Sequence, residues 1–304
     1  MPNLRKIFEN NTSTFLSFGY RLMLLILNST KIGRMTVFKA QAKNTLLVAK
    51  ASNLRFLVNS SDMAVGFSTY INRVAFDSEK IGPILSMCSR GGQSIMLNIG
   101  ANIGTIGLPA LAQGDVSEVW AFEPEPLNYS LLISNIWLNG LNESVKSFNV
   151  ALTNICDGSD LEFELDPRNF GDHRVRKTEE SGKYGEDMRE VIRVKSARLD
   201  DLCAELIYER AIIWMDVQGY EGYVLGGSTE LINKKVPIVA EFWPYGLRRS
   251  GCFYDFIDAI VSGSYANIVD FNNMSENLPC DKSTLLSLAK RYGFDGNHTN
   301  ILIY

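Results

Sequence analysis

The chain has 304 residues, enough for two average domains or for one large α/β unit with an added segment. Its 30 basic and 34 acidic side chains leave a net charge of −4, which argues against a protein whose main affinity is for nucleic acid or an anionic membrane face. At 46% hydrophobic and 11% aromatic residues it is not disordered, collagenous or a coiled coil. The cysteines, Cys88, Cys156, Cys203, Cys252 and Cys280, lie far apart with no C-x-x-C pair. That spacing predicts neither a disulfide framework nor a thiolate zinc site, and the expected compartment is reducing, hence cytoplasmic.

Residues 1–92 read as an N-terminal extension packed on the main domain, since no linker rich in Pro, Gly or Ser separates the two. The run Phe15 to Leu27 is apolar apart from Arg21. It is shorter than the roughly 20 residues of a membrane span, and Asn28-Ser29-Thr30 makes a poor cleavage site. The expectation is a packed or surface helix, a candidate contact for a homodimer, and no stable membrane span. Alternation of Leu54, Phe56 and Val58 predicts a strand, and Asp62 to Arg90 has mixed helical spacing.

Residues 93–304 read as the main domain. Short apolar runs alternate with amphipathic helices: strand Ile95 to Ile99, turn Gly100 to Gly104, helix Thr105 to Ala112, strand Val119 to Phe122, helix Pro126 to Leu138, strand Val145 to Leu152. Such alternation predicts parallel pairing, a sheet covered on both faces, and a ligand at the carboxyl ends of the strands. Residues 157–197 interrupt it with a polar, glycine-punctuated insertion, too charged for a core layer and a candidate lid. The alternation returns with a helix at Leu199 to Arg210, strand Ile212 to Val217, a helix through Ile232, strand Ile238 to Phe242, helix Tyr254 to Val261, strand Asn267 to Phe271 and a closing strand at Ile301 to Tyr304.

Three elements carry chemistry. Asn98-Ile99-Gly100-Ala101-Asn102-Ile103-Gly104 ends the first strand and opens a helix, where glycines allow a tight turn and free N–H groups favour an electron-rich group. A dinucleotide loop wants G-x-G-x-x-G; here Asn102 takes the crowded place and no lysine stands by for a phosphate, so the turn suits a nucleoside without a phosphate chain. Glu123 follows the second strand, close to the offset of about 20 residues at which an acid meets a ribose. Alone it would read as a helix-start residue; coupled to the glycine turn it reads as an acceptor for both ribose hydroxyls. Asp216, in Met215-Asp216-Val217-Gln218-Gly219, ends the fourth strand beside the first. It could pair with an ammonium or sulfonium, take a proton from a hydroxyl, or simply cap a helix.

In this order the three elements resemble a class I S-adenosylmethionine-dependent methyltransferase, and the wider pattern resembles the FkbM family within that class. The resemblance covers about Leu54 to Tyr304. It rests on NIGANIG at Asn98 to Gly104, AFEPEPLNYSLLISNIWLNGL at Ala121 to Leu141, NVAL at Asn149 to Leu152, NFGDHRV at Asn169 to Val175, RLDDL at Arg198 to Leu202, MDVQGYEGYVLGGSTELI at Met215 to Ile232 and EFWP at Glu241 to Pro244. It implies an α/β, Rossmann-like fold: a seven-stranded, mostly parallel sheet with helices on both faces and the last strand antiparallel. It also implies S-adenosylmethionine as cofactor, with Asn98, Gly100, Ala101, Asn102 and Gly104 around the methionine part, Glu123 and Pro124 at the ribose, the turn after Ala151 and Leu152 at the adenine, and Asp216 alongside. The sequence departs from the family at Asn98, where an aspartate is common, and at Gln218, where a glutamate is common.

Methyl transfer from a sulfonium is an in-line displacement, so a site of this kind mainly aligns donor and acceptor and needs a modest base for a hydroxyl. The candidate bases are His173, whose unperturbed pKa suits the task, and Asp216. Arg174, Glu241, Trp243 and Tyr245 are candidate contacts for the acceptor, expected to be a hydroxyl on a carbohydrate or related metabolite. No metal is expected, because Asp216 and Glu241 alone are a sparse oxygen-ligand set. Two other readings stand beside the methyltransferase: a nicotinamide-dependent oxidoreductase, which lacks its G-x-G-x-x-G, and a non-catalytic binding module, to which Asn98 and Gln218 lend weight.

Overall fold

In a computed structural model the described residues are 27–88, 94–155, 157 and 159–304. Residues 15–26 of the apolar N-terminal run lie outside them. Among the described residues no helix is long and apolar enough to cross a membrane.

The chain runs α1 (Lys31–Lys39), β1 (Leu46–Ala51), β2 (Leu54–Asn59), α2 (Val65–Asn72), α3 (Ile81–Met87), β3 (Ile95–Ile99), α4 (Gly107–Ala112), β4 (Glu118–Phe122), α5 (Pro126–Leu138), β5 (Val145–Phe148) and β6 (Ala151–Leu152). It continues through β7 (Leu161–Leu165), β8 (Arg174–Val175), β9 (Glu190–Val194), β10 (Ser196–Ala197), α6 (Leu199–Leu202), β11 (Ala211–Met215), α7 (Glu221–Gly226), α8 (Thr229–Asn233) and β12 (Ile238–Phe242). It closes with α9 (Pro244–Arg249), α10 (Phe253–Ser262), β13 (Asn267–Asp270), β14 (Asn277–Pro279), α11 (Lys282–Tyr292) and β15 (Thr299–Ile303).

The main sheet has the order β14-β13-β15-β12-β11-β3-β4-β5. The pairs from β12 to β5 are parallel, and β15 lies antiparallel between β12 and β13. The α/β, mostly parallel sheet with an antiparallel last strand is therefore as expected, but it has eight strands, not seven: β14 adds a short edge hairpin to β13. Both faces are covered. Along β3, Ile95, Leu97 and Ile99 enter one apolar cluster while Met96 enters another, and along β11 Ala211, Ile213 and Met215 part from Ile212 and Trp214 in the same way. Period-two alternation with apolar residues in both phases is what burial on two faces demands. The N-terminal segment supplies Phe38, Phe56, Val58, Tyr70, Ile81 and Ile84 to the second cluster.

Four expectations need correction. The strand foreseen over Val145 to Leu152 is two pieces, because the chain turns at Asn149, whose Nδ2 donates to the carbonyls of Glu123 and Pro124; β6 then pairs with β10 instead. The helix foreseen at Leu199 to Arg210 is a single turn, α6, followed by a 3-10 turn at Tyr208–Arg210. The helix after β11 breaks into α7 and α8 at Gly227, where a Cβ would meet the Thr153 carbonyl oxygen at 2.1 Å. Finally, the polar insertion holds a three-stranded antiparallel sheet, β8-β7-β9, that sends Phe163, Val175 and Val194 into the core. Its charges are buried as pairs rather than left in water: Arg174 and Arg189 meet Glu164 and Asp172, with Arg174 also facing Glu186. Mutual pairing is the condition under which such groups can leave solvent.

Candidate active site

β3 ends at Ile99, and the N–H groups of Gly100 and Ala101 both donate to the Phe122 carbonyl at 3.0 Å, which clamps the bend to β4. Gly100 has φ +76°, and a Cβ there would lie 1.9 Å from the Asp216 carbonyl oxygen. Only glycine allows the bend to rest against the tip of β11. Asn102, at φ +50°, ties three pieces together. Its N–H donates to Glu123 Oε2 at 2.7 Å, its Oδ1 accepts the Ile103 N–H at 2.8 Å, and its Nδ2 donates to the Phe170 carbonyl at 2.9 Å. The side chain of Asn98 is buried, and its Oδ1 accepts the Gly107 N–H at the start of α4.

Glu123 is only 4% exposed. Oε2 takes the Asn102 N–H and Oε1 takes the Glu125 N–H at 2.9 Å, so the carboxylate is fixed by main chain on both oxygens. Each oxygen keeps a lone pair for a further donor. Burial pushes its pKa up to about 8, against the pull of those two N–H groups.

A cavity of about 300 Å³ opens over these strand tips. Of the residues expected at a cofactor, Asn98, Gly100, Ala101, Asn102, Glu123, Pro124, Ala151, Leu152 and Asp216 line it, whereas Gly104 (φ +93°) does not, and a Cβ there would meet Leu108 and Leu132. The volume sits at the lower end of the range for small-molecule sites. Following the sheet from β11 to β5, the lining changes character. The β11 end is acidic, with Asp216 and Glu241; the end beyond β4 is apolar, with Val150, Leu152, Phe163 and Phe170.

At the acidic end Asp216, Glu221 and Glu241 bring carboxylate oxygens within 4.8 Å of one another. Glu221 is the member that the sequence reading missed, and it makes a denser oxygen set than the pair considered there. Its Oε1 accepts the N–H groups of Val217 and Gly219, while Oε2 is buried without a hydrogen bond. Gln218 Nε2 donates to Asp216 Oδ1 at 2.6 Å and to Glu241 Oε2 at 3.2 Å, bridging the two acids. His298 Nε2 stands 3.9 Å from Glu241 Oε1. Burial first, and then mutual repulsion, raises the pKa of Glu241 well above the usual carboxylate range. Burial and the neighbouring Asp77 raise Asp216, which is open to the cavity but deep within it, and burial with Asp216 beside it raises Glu221 to about 7.

His173 lines the apolar end, its ring 5.3 Å from Phe170 and 6.5 Å from Phe163, centroid to centroid. Its Nδ1 accepts the Asp166 N–H at 2.9 Å. Burial, helped by Arg189 and Arg174 and opposed by Asp166, lowers its pKa to about 4. The four expected acceptor contacts divide. Glu241 lines the cavity, but Arg174 is held in the ion-pair cluster with its guanidinium 4.8 Å above the Trp243 ring, Trp243 donates to the Gly296 carbonyl, and Tyr245 donates to Glu186.

The FkbM methyltransferase domain matches residues 98–262, more than half of the chain and the whole stretch from the glycine bend to α10. The chain belongs to the FkbM methyltransferase family. A relative, the 2-O-methyltransferase NoeI of Sinorhizobium fredii (strain NBRC 101917 / NGR234), is 29% identical over 162 residues, 49% of this chain and 63% of NoeI. The chain thus spans less than two thirds of that relative. Among solved structures, P. horikoshii TYW2 in complex with MeSAdo is similar at 14% identity over 86% of this chain and 71% of that one, with a TM-score of 0.36. M. jannaschii TYW2 in complex with AdoMet is similar at 11% identity over 87% of each chain, also with a TM-score of 0.36. These structural likenesses are distant.

In this member of the FkbM methyltransferase family the cavity wall extends outside the matched residues. Phe76, Asp77 and Lys80 come from the segment before β3, and His298 and Asn300 from the start of β15. The second pair had a signal in the sequence. A final strand that runs antiparallel must begin at the edge where the parallel strands end, so residues at its start belong to the site. The segment from Phe76 to Lys80 offered none, because nothing local says which way it folds over the sheet.

Proposed function

We propose that the protein is an S-adenosylmethionine-dependent O-methyltransferase acting on a hydroxyl of a carbohydrate or a related hydroxylated metabolite. The observation that carries the reading is the tie between the glycine bend and the acid: Asn102 N–H on Glu123 Oε2, inside a cavity whose other end is acidic. A phosphate-free nucleoside fits this arrangement. Glu123 has lone pairs left for two ribose hydroxyls, Gly100 removes the Cβ that would crowd the bend, and the carboxylates around Asp216 suit a cationic tail. When bound, S-adenosylmethionine supplies an electrophilic methyl group on sulfur.

The protein's own part is alignment and removal of one proton. Asp216 Oδ1 is occupied by Gln218, and the side chain lines the cavity, where its carboxylate can accept the proton of an acceptor hydroxyl. Burial raises its pKa, which makes the carboxylate a stronger base than a free aspartate. Glu241, bridged to Asp216 through Gln218, holds the base in place. NoeI is a 2-O-methyltransferase by name, which favours oxygen over nitrogen as the acceptor atom.

The test is transfer of a labelled methyl group from S-adenosylmethionine to a panel of mono- and oligosaccharides, polyols and phenols. Incorporation into none of them, with tight binding of S-adenosylhomocysteine, would leave a binding module. No binding of either compound would remove the reading altogether.

A further inference from the structure

We infer that His173 is a purine-reading residue: its Nε2–H donates a hydrogen bond to a ring nitrogen of the base held at the apolar end of the cavity. This rests on the nucleoside reading of the site given above, and it assigns the histidine to binding and not to proton removal.

Three observations carry it. The first is the ring's tautomer. Nδ1 accepts the main-chain N–H of Asp166, a donor that cannot reverse its role, so the neutral ring must hold its hydrogen on Nε2. A neutral imidazole protonated at Nε2 offers a donor there, not a lone pair, and burial among Phe163 and Phe170 opposes a second proton. The second is what Nε2 meets. It has no hydrogen-bond partner among the described residues, it is not one of the sealed polar atoms, and the ring lines the cavity. An open N–H beside Leu152, Phe163 and Phe170 is a directional feature of the kind that orients a flat ligand.

The third is position along the sheet. Asp216 follows β11, Glu123 follows β4, and Val150 to Leu152 follow β5, in the spatial order β11-β3-β4-β5. With the sugar on Glu123, the two remaining parts of the nucleoside must lie on opposite sides of it. The acid-rich side suits a cation and the apolar side suits an aromatic ring. His173 belongs to the apolar side, where it shares the wall with Leu152 and Phe163. A base for the acceptor hydroxyl is needed on the other side.

The experiment is calorimetric titration of the full chain with S-adenosylhomocysteine and with its 1-deaza, 3-deaza and 7-deaza analogues, each replacing one ring nitrogen by C–H. The wild type should bind one of the three analogues about tenfold more weakly than the parent, the scale of one hydrogen bond. His173→Phe should bind the parent about tenfold more weakly and lose the distinction, His173→Gln should keep part of it, and Asp216→Asn should keep all of it. The wild-type comparison needs no variant to fold. Equal binding of all four ligands by the wild type would overturn the inference, as would a distinction that survives in His173→Phe. So would a His173→Phe protein that keeps its affinities but loses turnover. Failure of the wild type to bind S-adenosylhomocysteine at all would instead overturn the nucleoside site itself.

Discussion

The two ends of the cavity are built on opposite principles. Around Glu123 each carboxylate oxygen is already held by a main-chain N–H, so position is set before any ligand arrives. Around Asp216 three carboxylates face one another; Glu221 takes two main-chain N–H groups, but Asp216 and Glu241 are bridged by a glutamine amide with an imidazole farther off, so the charge of the group depends on how many protons it carries. The first arrangement suits recognition, where a fixed acceptor avoids ordering costs. The second suits a step in which a proton is taken up, since like charges held close keep at least one of the acids easy to protonate.

The sharpest way to break this contrast is at Asp216. Asp216→Asn should lower kcat by about 10²- to 10⁴-fold while changing the affinity for S-adenosylhomocysteine only a few-fold, because Glu241 remains to face the ligand's ammonium, as read by steady-state kinetics beside calorimetry. Comparable losses in both would show that the acidic end binds as much as it reacts. Next in size is Gly100→Ala, which forces a Cβ towards the Asp216 carbonyl at a residue with φ +76°. It should cost about 3 kcal/mol or more in unfolding free energy and disturb both ends together, because the bend touches each of them. Denaturant melts with and without S-adenosylhomocysteine would read this, and an unshifted midpoint would contradict the close approach.

The smallest effect is the most specific. Glu123 in the free protein titrates near pH 8, well above an unfolded glutamate. Ribose hydroxyls donate to the ionised form, so binding must expel the proton. The affinity for S-adenosylhomocysteine should therefore rise by up to about tenfold per unit as pH increases towards 8, with close to one proton released per ligand at pH 7. The sign for stability is the reverse. The folded state holds that proton between the unfolded pKa and about 8 while the unfolded chain does not, so this group's contribution to stability falls with rising pH across that window. Calorimetry in buffers of different ionisation enthalpy measures the proton, and Glu123→Gln should abolish its release.

Much of this is legible in the amino-acid sequence. β3, β4 and β11 are short apolar runs followed by a glycine or an acid, and such strands announce both their burial and the edge at which they stop. The acid at 123 and the bend at 100 to 104 could be joined because their separation in sequence matches one β-α-β unit. What failed to show depended on partners distant in the chain. Glu164, Arg174, Glu186 and Arg189 look like surface charges singly and become interior only as a set. Glu221 looks like a helix-start acid, and its place beside Glu241 follows from the side-by-side packing of β11 and β12. β5 stops at Phe148 because the Asn149 side chain binds the loop after β4, a contact with no periodicity to reveal it.

One consequence of the topology concerns the order of events as the chain matures. β15 is wedged between β12 and β13 and brings His298 and Asn300 to the cavity, so a nascent polypeptide that has emerged only as far as β12 lacks part of the pocket wall. Nucleoside capture should then appear only once β15 has emerged, and retention on an immobilised cofactor analogue would select molecules in which that strand has found its slot.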